Sequence, residues 1–274
     1  MGRRIGRAAA WAGLLLCAGV FFLPVLLILC GSLMTEGELV RIYEQAAPFF
    51  RLIPGPFTLE GYYRLLFANT AYLSAFWNSA LLCVVTVTGQ CAVSLIVGFA
   101  LWRECLPGCR LLRHVYVFVM LLPFQVTMLP NYIQIRQMGL YNSSWALILP
   151  GVFSPLGVFL VCQFMKSVPQ EIVDAALLET ASPIRMLFYI IAPNVSHALL
   201  ALALITFAEV WNMVEQPLIF LKDTWRYPLS LALSQQSGSL SLAFAGAVIY
   251  MLPICFLFRI FRDSLLTGIE SVRQ

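Results

Sequence analysis

Two carboxylates, Glu209 and Glu215, stand inside the otherwise apolar run ALITFAEVWNMVEQPLIF, with Asn212 and Gln216 beside them. An ionisable group is expensive in such a run, and by default it is a candidate for function. Glu209 and Asn212 are three residues apart and Asn212 and Gln216 four, so on a continuous helix these three share one face. With Trp211, that face offers hydrogen-bond partners to a polyhydroxylated solute and an aromatic ring for it to stack on. The same residues suit a second role, tying one helix to a neighbouring chain, and residue types leave both open. Gln90, Gln125, Asn131 and Gln134 invite the same two readings, since isolated amides among apolar helices commonly bond helix to helix.

A second stretch, PQEIVDAALLETASPIRMLFYIIAP from Pro169 to Pro193, has neither the composition of a membrane span nor that of a passive linker. Glu171 to Leu178 are good helix formers apart from Ile172 and Val173. Glu171 and Asp174 lie near the start, where carboxylates suit the helix dipole. Ala175 and Ala176 make a small-residue face that a groove on another protein can approach closely. Glu179, Thr180 and Ala181 break the pattern. Ser182 then reads as an N-cap with Pro183 at the first helical position, opening an apolar helix from Ile184 to Ile191. The segment predicts helix, turn, helix; a surface-lying linker is the alternative.

The elements that position these residues follow from composition. The chain has 274 residues, 61% of them apolar and 11% charged, against about 25% charged in a soluble domain. Lipid is the solvent that this balance fits. A helix crosses the hydrocarbon core with about 20 predominantly apolar residues, and six such spans can be drawn: Ala8–Leu33, Ser74–Leu101, Leu111–Pro130, Trp145–Met165, Val195–Leu221 and Ser241–Phe261. Prolines stand within them, Pro24, Pro123, Pro155 and Pro253 among others, which membrane helices tolerate. The expectation is an all-α polytopic membrane protein. It divides into a first helix and outer loop (1–73), a core (74–265) holding the 169–193 loop, and a short tail (266–274). With the N-terminus inside, the inner segments hold Arg3, Arg4, Arg7, Arg103, Arg110, Arg113, Lys166, Arg185, Arg259, Arg262 and Arg273, 11 of the 17 basic residues. Arg41, Arg51, Arg64, Arg136, Lys222 and Arg226 fall outside. Both termini and the 169–193 loop are therefore expected in the cytoplasm.

Several classes are set aside. A net charge of +4 is too weak to suggest nucleic acid. Most of the eight cysteines lie in apolar runs, and Cys105 and Cys109 have no second pair nearby for a metal. His114 and His197 sit at span ends. There is no phosphate-binding loop and no nucleophile–base pair, so neither an enzyme nor a cofactor is expected.

The loop resembles the EAA loop of permease subunits in bacterial ATP-binding-cassette (ABC) importers. It stands here as Asp174-Ala175-Ala176-Leu177-Leu178-Glu179-Thr180-Ala181, with Ile191 and Pro193 downstream. Aspartate replaces the family's first glutamate, Glu179 its aspartate and Thr180 its glycine. PFTLEGYYRLL with Trp77-Asn78-Ser79, GLYNSSWALILP from Gly139 to Pro150, and Trp211-Asn212 followed by Pro217 to Asp223 are similar to the carbohydrate branch of that family. The resemblance implies the six-span type I importer permease (MetI-like) fold in a bacterial plasma membrane, and a sugar or oligosaccharide as solute. It further implies a second permease subunit as heterodimer partner, a cytoplasmic ATPase dimer that receives the loop, and an extracellular solute-binding protein. The rival expectation is a stand-alone secondary transporter or channel with a glutamate-lined pathway; the lack of an internal repeat counts against it.

Overall fold

The structure, a computed structural model, describes all residues except 1, 44–53, 106, 180–181, 236–237 and 272–274. Every regular element among the described residues is helical. The longer helices are α1 (Gly2–Gly31), α2 (Glu36–Tyr43), α3 (Thr70–Trp102), α4 (Cys109–Met120), α5 (Phe124–Gln137), α6 (Trp145–Val152), α7 (Pro155–Met165), α8 (Gln170–Glu179), α9 (Ser196–Trp211), α10 (Glu215–Phe220) and α11 (Leu240–Ser271). Four stretches are long and apolar enough to cross a bilayer: Gly13–Gly31, Thr70–Trp102, Trp145–Met165 and Leu240–Arg262. Two bent helix pairs pass the same test only when each is taken together, α4 with α5 at 107° and the 183–194 segment with α9 at 77°.

The third and fifth spans were expected as single helices, and both are broken. At the first break Pro123 takes an extended backbone (φ −59°, ψ 142°) and caps α5. The ring of a proline disfavours helix in the residue before it, so α4 ends by closing Leu121 N–H onto Phe118 O and Leu122 N–H onto Val119 O. The fifth span breaks again after Trp211. Within a continuous helix the ring of Pro217 would clash with the Met213 carbonyl. Here α10 restarts at Glu215, and the freed Met213 carbonyl accepts from the Ser230 hydroxyl.

The chain divides into two compact units, residues 1–73 with 233–253 and residues 74–232 with 254–274. In the first, the Glu36 carboxylate caps α11, accepting from Leu240 N–H (2.9 Å), Ser241 N–H (2.9 Å) and the Ser239 hydroxyl (2.8 Å). Burial pushes the Glu36 carboxyl up, but those bonds and the nearby Arg64 charge outweigh it and hold the group below its ordinary value of 4.5. A lowered folded-state value means stability that is present above the ordinary value and lost as pH falls through the folded one. Glu36→Ala is therefore expected to destabilise the chain by about 1–2 kcal/mol at neutral pH. Its deficit should shrink below about pH 4.5, read by thermal unfolding of native and variant protein across that range.

In the second unit, Leu95 and Phe99 of α3, Val161 and Met165 of α7, Met186, Leu187, Ile191 and Val195 of the bent segment, and Ala198 and Leu202 of α9 form one core. Small residues let the backbones approach. A Cβ on Gly89 would lie 2.7 Å from Val152, one on Gly98 3.3 Å from Cys162 N, and one on Gly157 2.9 Å from Gln90 Nε2. α3, α6 and α7 are drawn together at these points.

Candidate functional site: a polar cavity and a projecting loop helix

A cavity of about 780 Å³ lies within the second unit. Its polar side chains include Gln90 of α3, Thr127, Asn131 and Gln134 of α5, Ser154 before α7, Thr206 and Glu209 of α9, and Gln216 of α10. Phe124, Phe153 and Met213 are among the apolar residues that complete the wall. Thr206 and Glu209 are one turn apart, so α9 aims both at the same space. The Thr206 hydroxyl lies 2.6 Å from Gln90 Oε1 and 2.8 Å from the Leu202 carbonyl. That bond fixes the Gln90 side chain, itself 2% exposed, at the base of the wall. The bend at Pro123 turns α5 so that Thr127, Asn131 and Gln134 line the cavity from the side.

Of the residues expected on one face of the fifth span, Glu209 and Gln216 line the cavity. Trp211, Asn212 and Glu215 are not among its lining residues. The expectation of a shared face fails because the helix stops at Trp211. Asn212 Nδ2 turns back to the Ala208 carbonyl (2.7 Å) and closes the last turn. Trp211 is 2% exposed, stacked on Phe207 (5.5 Å between ring centres) and edge-on to Phe76 (5.9 Å). It belongs to the packing and offers no face to a solute. Glu215 is exposed. Among the amides, Gln90, Asn131 and Gln134 line the cavity and Gln125 does not; Thr127 and Thr206, which sequence reasoning passed over, do. A threonine in an apolar helix carries no signal separating a lining residue from one that bonds its own backbone.

α8 is the second feature. Its Val173 is buried in the second-unit core beside Met165, Met186 and Leu187, while Glu171, Asp174, Ala175 and Leu178 are exposed. Gln170 Nε2 donates to Asp174 Oδ1 at 2.9 Å, one turn along the same helix. The helix is thus pinned by one side and presents the other. Thr180 and Ala181 lie outside the described residues, as do the side chains of Ala176 and Glu179. Ser182 takes the extended backbone of an N-cap (φ −90°, ψ 114°) with Pro183 following. The helix expected from Ile184 to Ile191 widens into π-type turns over Met186–Ile191, burying Met186, Leu187 and Ile191 and exposing Phe188 and Tyr189.

Three short motifs that sequence reading treats separately meet in space. Asn142, in the left-handed conformation (φ +60°), donates from Nδ2 to Asp223 Oδ2 (2.7 Å). Its Oδ1 accepts from Lys222 N–H (2.9 Å) and Asp223 N–H (3.1 Å), and its own N–H donates to the Phe220 carbonyl (2.9 Å). Asn78 Nδ2 donates to the Trp225 (2.8 Å) and Tyr227 (3.2 Å) carbonyls, and Leu229 N–H donates to Ser79 Oγ (2.7 Å). The segment 220–229 is therefore strapped to the start of α3 and to the loop before α6. The strap fixes the end of α10, which carries Gln216.

Residues 108–270 match the family described as the inner membrane component of binding-protein-dependent transport systems. Protein LplC of Bacillus subtilis is 28% identical over 235 residues, 85% of this chain and 77% of that protein. The arabinooligosaccharides transport system permease protein AraQ of Halalkalibacterium halodurans is 26% identical over 281 residues, 98% of each. The fold is that of a chain in the crystal structure of a bacterial ABC transporter involved in import of the acidic polysaccharide alginate. The TM-score to it is 0.86 at 16% identity, covering 96% of this chain and 97% of that one.

Proposed function

The chain belongs to the family of inner membrane components of binding-protein-dependent transport systems, and from that premise we propose that it is a permease subunit of an ABC importer that carries a sugar or oligosaccharide. The match over residues 108–270, which holds the loop and every cavity-lining residue except Gln90, carries the reading. Permease subunits are transport components and not enzymes, in keeping with the chain's lack of a phosphate-binding loop. The stand-alone transporter reading is set aside by the family.

In this reading the chain is multi-pass with both termini cytoplasmic, and it pairs with a second, different permease subunit. An extracellular binding protein delivers solute to the outer face of the pair. One subunit of a cytoplasmic ATPase dimer receives α8 in its cleft, through Glu171, Asp174, Ala175, Ala176 and the Glu179-Thr180-Ala181 turn. Closure of the ATPases on ATP moves α8, and Val173 passes that movement to α7, α9 and the 186–195 segment, whose side chains share its core. The cavity is part of the solute route, with Glu209, Gln216, Gln90, Asn131 and Gln134 as hydrogen-bond partners for hydroxyls. Solute binding and passage thus use α3, α5, α9 and α10, while energy enters through α8.

The test is cross-linking. A cysteine at Ala175, in a chain stripped of its native cysteines and assembled with its partners, should form a disulfide with a cysteine in the ATPase cleft. Its yield should change with ATP. An assembled, transport-active complex giving no cross-link would return α8 to the role of a surface linker.

A further inference from the structure

We infer, resting on the reading of the cavity as part of the solute route, that this subunit's pathway takes uncharged sugars and disfavours anionic ones. Fold and family leave the solute's charge open. A chain of the same fold serves an importer of an acidic polysaccharide, while a relative similar over its full length is named for arabinooligosaccharides, which are neutral. The cavity itself is more selective. Among the described residues that line it, Glu209 is the one charged side chain, and no lysine, arginine or histidine faces it.

The remaining polar lining consists of amides and hydroxyls, which bond sugar hydroxyls without regard to charge. Arg136 of α5, two residues from Gln134 and two from Met138, does not line the cavity and is engaged elsewhere. Its guanidinium sits 4.6 Å from the ring centre of Tyr141 and 5.1 Å from that of Tyr132. Neither tyrosine lines the cavity. A carboxylate solute in this space would meet the Glu209 carboxylate with no basic side chain among the described lining residues to offset it. In a partly enclosed space of lowered dielectric, like charges several ångströms apart repel far more strongly than in water. Glu209 is thus a specificity-determining residue, acting by repulsion as much as by hydrogen bonding.

The field can be read without a transport cycle. A cysteine placed at Gln134, in a cysteine-free background within the assembled complex, is modified in parallel by a trimethylammonium and by a sulfonate methanethiosulfonate of matched size. Each rate is divided by that for a free thiol. The cationic reagent should be favoured by about tenfold or more. Glu209→Gln should bring the ratio near one, and Glu209→Asp should keep it, separating charge from altered packing. A ratio near one in the native cavity, or one that Glu209→Gln leaves unchanged, overturns the inference. So does uptake by the native complex of a uronic-acid oligosaccharide as fast as its neutral counterpart. A chain that is no importer would still give the labelling ratio, whereas an importer indifferent to charge would transport with a ratio of one. The two failures are therefore distinguishable.

Discussion

Leu178→Asp should reduce solute uptake about a hundredfold or more while leaving the chain folded and in the membrane. Leu178 ends the outer side of α8 and is 90% exposed, so its replacement disturbs no packing among the described residues. In the docking proposed above, a leucine so placed beside Ala175 anchors α8 in the ATPase cleft. Putting an unpaired carboxylate into a desolvated groove costs several kcal/mol, in the range where single interface residues decide binding. Leu178→Met, similar in size and apolar, should keep most of the uptake. The decisive comparison is within the purified complex. Solute-loaded binding protein should still dock on the Leu178→Asp complex but no longer accelerate ATP hydrolysis. Native uptake by this variant would mean that the exposed side of α8 meets nothing.

Asn142→Ala should cost about 3–4 kcal/mol and lower the midpoint of thermal unfolding by about 10 °C. The substitution removes the bond to the Asp223 carboxylate and the acceptor of the Lys222 and Asp223 N–H groups. A hydrogen bond to a charged group contributes about 1.5–3 kcal/mol and a neutral one about 1 kcal/mol. Alanine must also hold φ +60°, which costs an ordinary L-residue about 1–2 kcal/mol. The parts are not additive, hence a total below their sum. Asn142→Gly relieves the backbone alone and should recover about 1 kcal/mol of the loss. Asn142→Asp keeps an acceptor for the two N–H groups but faces the Asp223 carboxylate, so it too falls short of native. Fluorescence-detected unfolding of the solubilised protein orders the three. If alanine and glycine match the native midpoint, the strap does not hold the fold. A drop in uptake without a drop in stability would place its effect on Gln216 and the cavity.

The membrane-spanning pattern was legible because apolar length is a property of sequence alone. So was the loop helix, whose Ser182-Pro183 restart depends on local backbone chemistry. The breaks were harder. Pro123 and Pro217 were visible, but prolines within a span can bend it or be absorbed. The outcome here turns on whether the freed carbonyl finds a partner, as Met213 does in Ser230, 17 residues away. The break took Asn212 off the face it was expected to share with Glu209 and Gln216. The strap was hidden for a related reason. Asn78, Asn142 and Asp223 are unremarkable apart, and their meaning is a contact across as many as 149 residues. Motif resemblance marked these stretches without saying that they touch.

α1 has the highest mean hydropathy of the four unbroken spans, 2.8, and none of its most apolar stretch is buried. Phe21 is 81% exposed and Leu15 70%. Such a helix draws its stability from hydrocarbon and not from its own chain, so it can settle in the bilayer as soon as it leaves the ribosome, before any residue of the second unit has been made. The helices of the second unit, with their glycine contacts and broken spans, depend instead on one another.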